Sequence, residues 1–297
     1  MARKGIILAG GKGTRLRPLT MAVSKQLLPV YDKPLVYYPL ATLMLGGVRD
    51  IQVIVDPSSE DQFRKLLGDG DQWGASISYA IQSAPKGLAD ALIVAEKFLD
   101  GQSSVLILGD NIFHGVGLGR SLLSSVQDEG ATVTAIHVDD PTEFGVLELG
   151  ANMKVLSIEE KPADPKSNFA IPGLYFFDGS APARAKSVLP SSRGELEITD
   201  LLNTYLGEDL LSTTILPRGT AWLDAGSIDG LMGAGELIKT LQTTTGQLVG
   251  SPDEAAWRQG WISERQLLAI AAGIKTDYGR MLERAVKEER EHKSYGS

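Results

Sequence analysis

The sequence predicts an α/β fold, with a mainly parallel central sheet flanked by helices and a helical C-terminal segment. Two observations carry this expectation. In the first half of the chain, apolar runs of strand length alternate with stretches of helical periodicity, the pattern of strands joined by crossover helices. From Ser251 onward the chain reads as helical, with Trp257, Trp261 and residues 267–272 as its apolar parts.

Taken in order, residues 5–9 read as the first strand, and 51–55, 77–81, 105–108 and 132–138 as those that follow. Between them, Val36, Leu40, Leu43 and Met44 keep helical spacing, as do Leu88, Ala91, Leu92, Ala95 and Phe98. Ligands of such sheets sit beyond the carboxyl ends of strands, so attention falls on the residues just after Ala9, Ile81 and Leu108. The second half is mixed. Residues 146–149, 155–158 and 174–177 read as short strands, and 195–206 as a helix with an acidic first turn. Residues 220–223 read as a strand ahead of a helix over about 228–243. No repeat, low-complexity linker or clear boundary divides the chain, which is expected to form a single domain over 1–297.

Composition narrows the function classes. A chain of 297 residues buries roughly three quarters of its unfolded surface. With 43% apolar and 22% charged residues it has the composition of a globular protein. The absence of cysteine excludes a disulfide framework, a thiolate zinc site and a cysteine nucleophile, and is compatible with a reducing cytoplasm. The basic start is followed by an apolar run too short for a signal peptide. No stretch approaches the ~20 apolar residues of a membrane span. A net charge of −8 argues against nucleic-acid binding. Within it, residues 1–33 hold Arg3, Lys4, Lys12, Arg15, Arg17, Lys25 and Lys33 against Asp32 alone, leaving −14 for the rest. One cationic segment on an acidic protein suggests a small polyanionic ligand there.

The decisive segment is Leu8-Ala9-Gly10-Gly11-Lys12-Gly13-Thr14-Arg15-Leu16-Arg17-Pro18, directly after the first strand. Three glycines in four positions let backbone N–H groups approach a phosphate without Cβ clashes. A Walker loop fails, because Lys12 is followed by glycine and the upstream glycine would fall at Ile6. A dinucleotide fingerprint fails, because its third glycine would fall at Leu16. What remains is a glycine turn ending in Arg15, with Lys25 and Gln26 shortly after. Nucleotidyl and phosphoryl transfer need positioning and charge stabilisation more than covalent help, and an Arg fork with a Lys point charge supplies both.

These residues, with Ser24-Lys25-Gln26-Leu27-Leu28-Pro29, Asp32-Lys33-Pro34, Leu66-Leu67-Gly68-Asp69-Gly70 and Gly87-Leu88-Ala89, resemble the bacterial glucose-1-phosphate thymidylyltransferases. So do Leu108-Gly109-Asp110-Asn111-Ile112-Phe113, Glu159-Glu160-Lys161-Pro162, Gly173-Leu174-Tyr175, residues 193–200 and Trp222-Leu223-Asp224. The resemblance covers essentially the whole chain. It implies a Rossmann-like nucleotidyltransferase fold in which residues 1–130 bind nucleotide, 131–250 bind sugar and 251–297 form the helical C-terminal segment. It also implies magnesium-dependent transfer of a thymidylyl group from dTTP to glucose-1-phosphate, giving dTDP-glucose for dTDP-rhamnose or other deoxysugar synthesis. A cytoplasmic homotetramer with dTDP-rhamnose as feedback ligand belongs to the same expectation.

Residue by residue, Leu8, Gly10, Gly11, Gly13, Thr14, Arg15, Lys25, Gln26, Gln82 and Gly87 are expected at the nucleotide, with Arg15 and Lys25 catalytic. Asp110 and Asp224 each end an apolar strand. Either alone reads as a turn or capping residue; together, beside phosphates, they suit Mg²⁺, which takes one or two carboxylates plus water and phosphate. The resemblance assigns both to the metal and Asn111 to the same site, on its sugar-phosphate side. The carboxamide of Gln82 offers a donor beside an acceptor, which matches the imide edge of thymine or uracil. The resemblance gives it, with Gly87, to the base. It gives Lys161 and Arg193 to the sugar phosphate, Glu160 to sugar hydroxyls, and Gly145, Ile171 and Tyr175 to the pocket wall. The chain departs from the family pattern at Phe144, Asp56, Ser59, Asp90, His114 and the triplet Ala225-Gly226-Ser227. Two alternatives stay open: the same chemistry with UTP, and a non-catalytic nucleotide-sugar sensor.

Overall fold

A computed structural model of the chain describes residues 3–11, 13–119, 122 and 129–295; Lys12 of the cationic segment lies outside them. The strands, in chain order, are β1 (Lys4–Leu8), β2 (Pro29–Val30), β3 (Lys33–Pro34), β4 (Asp50–Val55), β5 (Ser76–Ile81), β6 (Ser104–Leu108) and β7 (Asn111–His114). They continue with β8 (Ala131–His137), β9 (Gly145–Leu149), β10 (Val155–Glu160), β11 (Phe169–Ile171), β12 (Leu174–Phe177), β13 (Leu211–Ile215) and β14 (Ala221–Asp224). One large sheet runs β10-β9-β11-β8-β12-β6-β1-β4-β5, with β13 added beside β8.

The half from β6 to β5 is entirely parallel, and its strands are the apolar runs read from the sequence. Successive side chains of a strand face opposite sides. Ile7 and Val53 accordingly enter one buried cluster, with Leu40 and Met44, while Ile6 and Ile54 enter another, with Leu92 and Leu106. Burial on both faces is why β1 and β6 are apolar along their length, whereas the edge strand β5, Ser-Ile-Ser-Tyr-Ala-Ile, is partly exposed and alternates. From β12 outward the neighbours are antiparallel, except for β13, which lies parallel to β8. Leu8 stands level with Leu108, and Val55 with Ile81, so the parallel strands present their carboxyl ends along one edge.

Two smaller pairings serve the site. Strands β2 and β3 form a two-residue ladder after the cationic loop. Strand β14 runs antiparallel to β7 and sets Asp224 opposite Asn111.

The C-terminal segment forms three helices, Pro252–Arg258, Glu264–Gly273 and Asp277–Tyr295. Ser251 caps the first, and Ser263 with Gln266 forms a capping box on the second. Their apolar face is covered by the chain itself. Ala255, Ala256, Leu267, Tyr278 and Leu282 belong to the same buried cluster as Leu40 and Trp73, with Trp257, Trp261 and Ile274 packed against it. The helix Ile228–Thr245 begins at Ser227, whose hydroxyl accepts from the amide of Gly230, and ends at Gly246 in the left-handed region, φ 71°. Among the described residues no helix is long and apolar enough to cross a membrane.

The elements differ from the sequence reading in three places. The helix expected across Leu88–Phe98 is two short helices, Asp90–Val94 and Glu96–Leu99. The helix expected from Glu195 begins at Ile198, because the amide of Leu196 is taken by the carbonyl of Lys86 and the carbonyl of Leu196 by the amide of Ala89. These tertiary bonds hold the acidic residues extended. Strands β2, β3, β7, β11 and β13 and the helices Glu60–Leu67 and Ala181–Ser187 are additions to the reading.

Candidate active site

The glycine turn leaves the end of β1 at the centre of the carboxyl edge. Gly11 has φ 108° and Gly13 φ 53°, and Gly13 opens a 3₁₀ turn over Thr14–Leu16. Only glycine takes these values without strain. A side chain on Gly13 would meet the Cγ2 of Thr20 at 2.9 Å, whereas the space beside Gly11 is open. The turn is braced from below. The amide of Gly109 donates to the carbonyl of Leu8 (2.9 Å), and the hydroxyl of Thr20 to that of Gly13 (2.7 Å). Gln26, 1% exposed, takes a hydrogen bond from the Ser24 hydroxyl and sends its amide toward the carbonyl of Gly10, 3.4 Å away. Leu8 and Gln26 thus lie under the turn, while Thr14 and Arg15 stand exposed on its rim.

Two clefts open along this edge. The larger, 560 Å³, is lined by Gly11, Arg17, Thr20, Lys25, Asp56, Ser59 and Gln82, among others. The smaller, 260 Å³, is lined by Arg15, Asp110, Asn111, Phe144, Gly145, Glu160, Lys161, Ile171, Tyr175, Arg193, Thr199, Trp222 and Asp224, among others. The structure therefore gathers every residue expected at the sugar phosphate and the metal into one cavity. Lys25, from the larger cleft, forms an ion pair with Asp110, from the smaller. The two cavities meet at that pair.

Asp110 and Asp224 are brought together by the β7–β14 pairing, and the amide of Ala225 donates to the carbonyl of Asp110 (3.1 Å). Burial alone would push the Asp110 carboxyl up, but Lys25, with help from Asn111, holds it below the usual carboxylate range. Asp224 is pushed the other way, by burial first and then by the Asp110 charge, with Lys25 and Arg15 opposing. Its Oδ1 accepts from the amide of Gly226 (2.9 Å). A methyl group on Gly226 would lie 2.9 Å from that oxygen and 3.0 Å from the Arg15 guanidinium, which puts Arg15 beside Asp224. The donor set is two hard carboxylate oxygens, and among the described residues no third acidic, His or Cys ligand joins them. That suits a magnesium ion completed by phosphate and water. Asn111 acts as a strut: its amide donates to Asp110 (3.1 Å), and its oxygen accepts from Gly173 N (3.2 Å) and Trp222 Nε1 (2.6 Å).

The far wall of the smaller cleft is a strand corner. Gly145 stands opposite Glu160 on one side and Ile171 on the other. Glu160 is raised by burial and by repulsion from Glu197, against the pull of Lys161 and Arg193. Arg193 is gripped by Glu197 (2.9 Å) and stands 3.8 Å from Glu160. Lys161 adopts φ 46°, with its amide bonded to the carbonyl of Phe144 (3.0 Å) and its ammonium only loosely met by Glu143 at 3.9 Å. Tyr175 is buried, and its hydroxyl is pushed up by burial and by the Glu160 charge.

In the larger cleft, Gln82 directly follows β5, with its amide nitrogen 2.8 Å from Asp90 Oδ2 and 3.3 Å from the carbonyl of Gly87. Gly87, at φ 97°, has no room for a side chain, because a Cβ would sit 2.4 Å from the carbonyl of Leu196. Sequence reasoning missed the roles of Asp90, Glu197, Thr199 and the Phe144–Trp222 ring pair, whose centroids are 4.7 Å apart. Trp222, Thr199 and Glu197 stood inside motifs already quoted, and Asp90 was singled out only as a departure from the family pattern; their partners, Arg193 four residues from Glu197 and Gln82 eight residues from Asp90, are set by side-chain contacts that no spacing rule announced.

Comparison with known proteins agrees with this geometry. The nucleotidyl transferase family profile matches residues 4–240. The chain is 50% identical over 280 residues to the glucose-1-phosphate thymidylyltransferase of Mycobacterium tuberculosis H37Rv, covering 94% of this chain and 97% of that one. It is 52% identical over 282 residues to the enzyme of that name from Xanthomonas campestris pv. campestris B100, covering 94% and 96%. Among solved structures, a candidate glucose-1-phosphate thymidylyltransferase from Bacillus anthracis, crystallised with sucrose, superposes with a TM-score of 0.74 at 40% identity, over 80% of this chain and 95% of that one. A UDP-glucose pyrophosphorylase bound to UDP-glucose shares the fold, with a TM-score of 0.71 at 22% identity over 81% and 99%. The chain belongs to the nucleotidyl transferase family, and within it to the glucose-1-phosphate thymidylyltransferases.

Proposed function

We propose that the chain transfers a thymidylyl group from dTTP to glucose-1-phosphate and releases pyrophosphate. The observation that carries this reading is the meeting of two clefts at Lys25, Asp110, Asp224 and Arg15. Each cleft takes one substrate, and the charged junction receives the reacting phosphates.

A phosphate oxygen of the sugar phosphate attacks the α-phosphorus of dTTP in line. The new P–O bond forms as the bond to the bridging oxygen of the β-phosphate breaks, and pyrophosphate leaves. The nucleophile is already ionised, so no general base is required. Arg15 and Lys25 stabilise charge on the triphosphate and on the leaving pyrophosphate, while the amides of Gly11 and Gly13 receive phosphate oxygens. Lys161 and Arg193 hold the sugar phosphate, Glu160 the sugar hydroxyls, and Gln82 with Gly87 the base. Asp110 and Asp224 would hold magnesium, which when bound neutralises phosphate charge and orients the two reactants.

On this reading residues 1–130 serve the nucleotide, 131–250 the sugar and 251–297 the helical C-terminal segment of one domain. The resemblance supports the finer parts of the proposal: a place in dTDP-rhamnose synthesis in the cytoplasm, a homotetramer, and feedback by dTDP-rhamnose. The test is pyrophosphate release from a matrix of nucleoside triphosphates and sugar phosphates. The pair dTTP and glucose-1-phosphate is expected to be fastest, with dUTP, which lacks only the base methyl, behind by about ten- to two-hundredfold, and UTP, which also carries a 2′-hydroxyl, behind as well. No turnover with that pair would sink the proposal, and preference for UTP would move it to uridylyl transfer.

A further inference from the structure

We propose that Asp90 is a positioning residue that fixes the orientation of the Gln82 carboxamide and thereby makes the site select thymine or uracil over cytosine. The inference rests on the reading above that Gln82 faces the base, and goes beyond it by naming what decides which end of Gln82 the base meets.

A glutamine carboxamide can be turned over with little change of shape, exchanging its oxygen for its nitrogen. What a ligand meets depends on what holds the group from behind. Gln82 is buried, and its backbone amide is fixed to the carbonyl of Val55 (2.9 Å). Behind its side chain stand two groups that accept: Asp90 Oδ2, 2.8 Å from Nε2, and the carbonyl of Gly87, at 3.3 Å. A carboxylate oxygen and a backbone carbonyl accept and do not donate. Turned over, the carboxamide would set its oxygen against both acceptors in a buried place, with its own N–H groups unmatched, a costly arrangement.

Neither acceptor can easily yield. Asp90 is buried at the start of the helix Asp90–Val94. Gly87 is wedged against Leu196, with the amide of Ala89 bonded to the carbonyl of Leu196 at 3.1 Å. Both N–H groups of Gln82 are thus directed backward and Oε1 forward. A Cβ built on Gly10 would come within 3.3 Å of Oε1, so the oxygen looks toward the glycine turn from the wall of the larger cleft.

A forward acceptor pairs with an N–H. Thymine and uracil present one at N3. Cytosine presents a bare ring nitrogen there, and two acceptors would face each other. Sites built on a hydrogen bond reject a partner that cannot make it far more strongly than a methyl-sized pocket rejects an extra methylene. An amide or hydroxyl at position 90 could donate as well as accept, and would let Gln82 turn.

The experiment compares kcat/KM for dTTP, dUTP and dCTP, with glucose-1-phosphate, in the wild-type chain and in Asp90→Asn. Asp90→Ser, less bulky and also able to donate, is read alongside. Melting curves establish which variants are folded, and either folded variant decides. The expected result is a dTTP-to-dCTP ratio at least about tenfold smaller than wild type, moved mainly through KM, while the dTTP-to-dUTP ratio stays fixed. A folded variant with an unchanged dTTP-to-dCTP ratio overturns the inference and leaves the proposed function standing. A wild-type chain inactive with dTTP would defeat the proposed function itself.

Discussion

Lys25 and Asp110 form an ion pair at the seam between the two clefts. The ammonium keeps Asp110 ionised, while Asp224, facing the same centre, is raised by burial and by the Asp110 charge. Two neighbouring carboxylates, with Lys25 on one and Arg15 beside the other, form a centre whose oxygens a divalent cation would take over, freeing Lys25 for a phosphate oxygen.

Asp110→Asn removes one of the two carboxylates with almost no change of shape. Turnover is expected to fall at least about a hundredfold, the scale of deleting one preorganised charge-stabilising group. Excess chelator should abolish activity in the wild-type chain and added Mg²⁺ restore it. Pyrophosphate release is the measurement, with a melting curve to show that the variant is folded. Undiminished turnover in the variant, or under chelator, would remove the metal from these residues.

Lys161 separates the two substrates. Its left-handed backbone and the bond to Phe144 aim the side chain into the smaller cleft, where Glu143 engages it only weakly. A charge-assisted contact to phosphate is worth about 1.5–3 kcal/mol. Lys161→Ala should therefore raise KM for glucose-1-phosphate about ten- to a hundredfold and leave KM for dTTP nearly unchanged. Equal effects on both constants would place Lys161 elsewhere.

The part of the site built on the parallel strands was legible in the sequence because its signals are local. β1 is buried on both faces, so it reads as an apolar run, and the glycines that follow are required by the backbone angles at Gly11 and Gly13. Asp110 and Asp224 could be singled out as strand-end carboxylates, but their meeting could not be derived, since the β7–β14 ladder joins distant segments. β7 offers only Ile112 and Phe113 as apolar residues, and β13 is half-exposed along its whole length, so neither carries a strong period. Glu195 and Glu197 are good helix formers, and it is the pairing of Leu196 with Lys86 and Ala89 that keeps them out of the helix. Antiparallel order beyond β12 likewise depends on long-range partners.

Stability at low pH should respond to Asp178. Burial raises its carboxyl, but hydrogen bonds from Ser180, the amide of Gly130 and Tyr205 outweigh burial and hold it below the ordinary value. A carboxyl depressed in the folded state stabilises it above the unfolded pKa of about 3.9, and that contribution is lost as pH falls through the folded value. Asp178→Asn keeps one accepting oxygen but sets an NH2 group against the donors on the other side, the amide of Gly130 or those of Ser180 and Tyr205, at a cost of about 1–3 kcal/mol less some solvent screening. Denaturant melts should show the full gap between wild type and variant at pH 6–7, and a shrinking one below about pH 4. A gap that widens on acidification would reverse the assigned sign.

Gly87→Ala tests whether the loop behind the base wall is held in place by packing. Gly87 has φ 97°, a region that strains an L-residue by about 1–3 kcal/mol. Its missing side chain is also a spatial requirement, because a Cβ would stand 2.4 Å from the carbonyl of Leu196 and 2.6 Å from its nitrogen. Those are backbone atoms fixed in turn by Lys86 and Ala89, so they cannot swing aside as a side-chain end would. The loop must back away, and its carbonyl then leaves Gln82 Nε2 while Asp90 remains. The variant is therefore expected to melt earlier and to raise KM for dTTP more than KM for glucose-1-phosphate, since Gly87 and Leu196 are not walls of the smaller cleft while their neighbours Leu88, Glu195 and Glu197 are. Thermal melts and the two KM values decide it. An unchanged melting point with an unchanged dTTP KM would mean that the loop moves freely, and that the base wall is not fixed by its contact with Leu196.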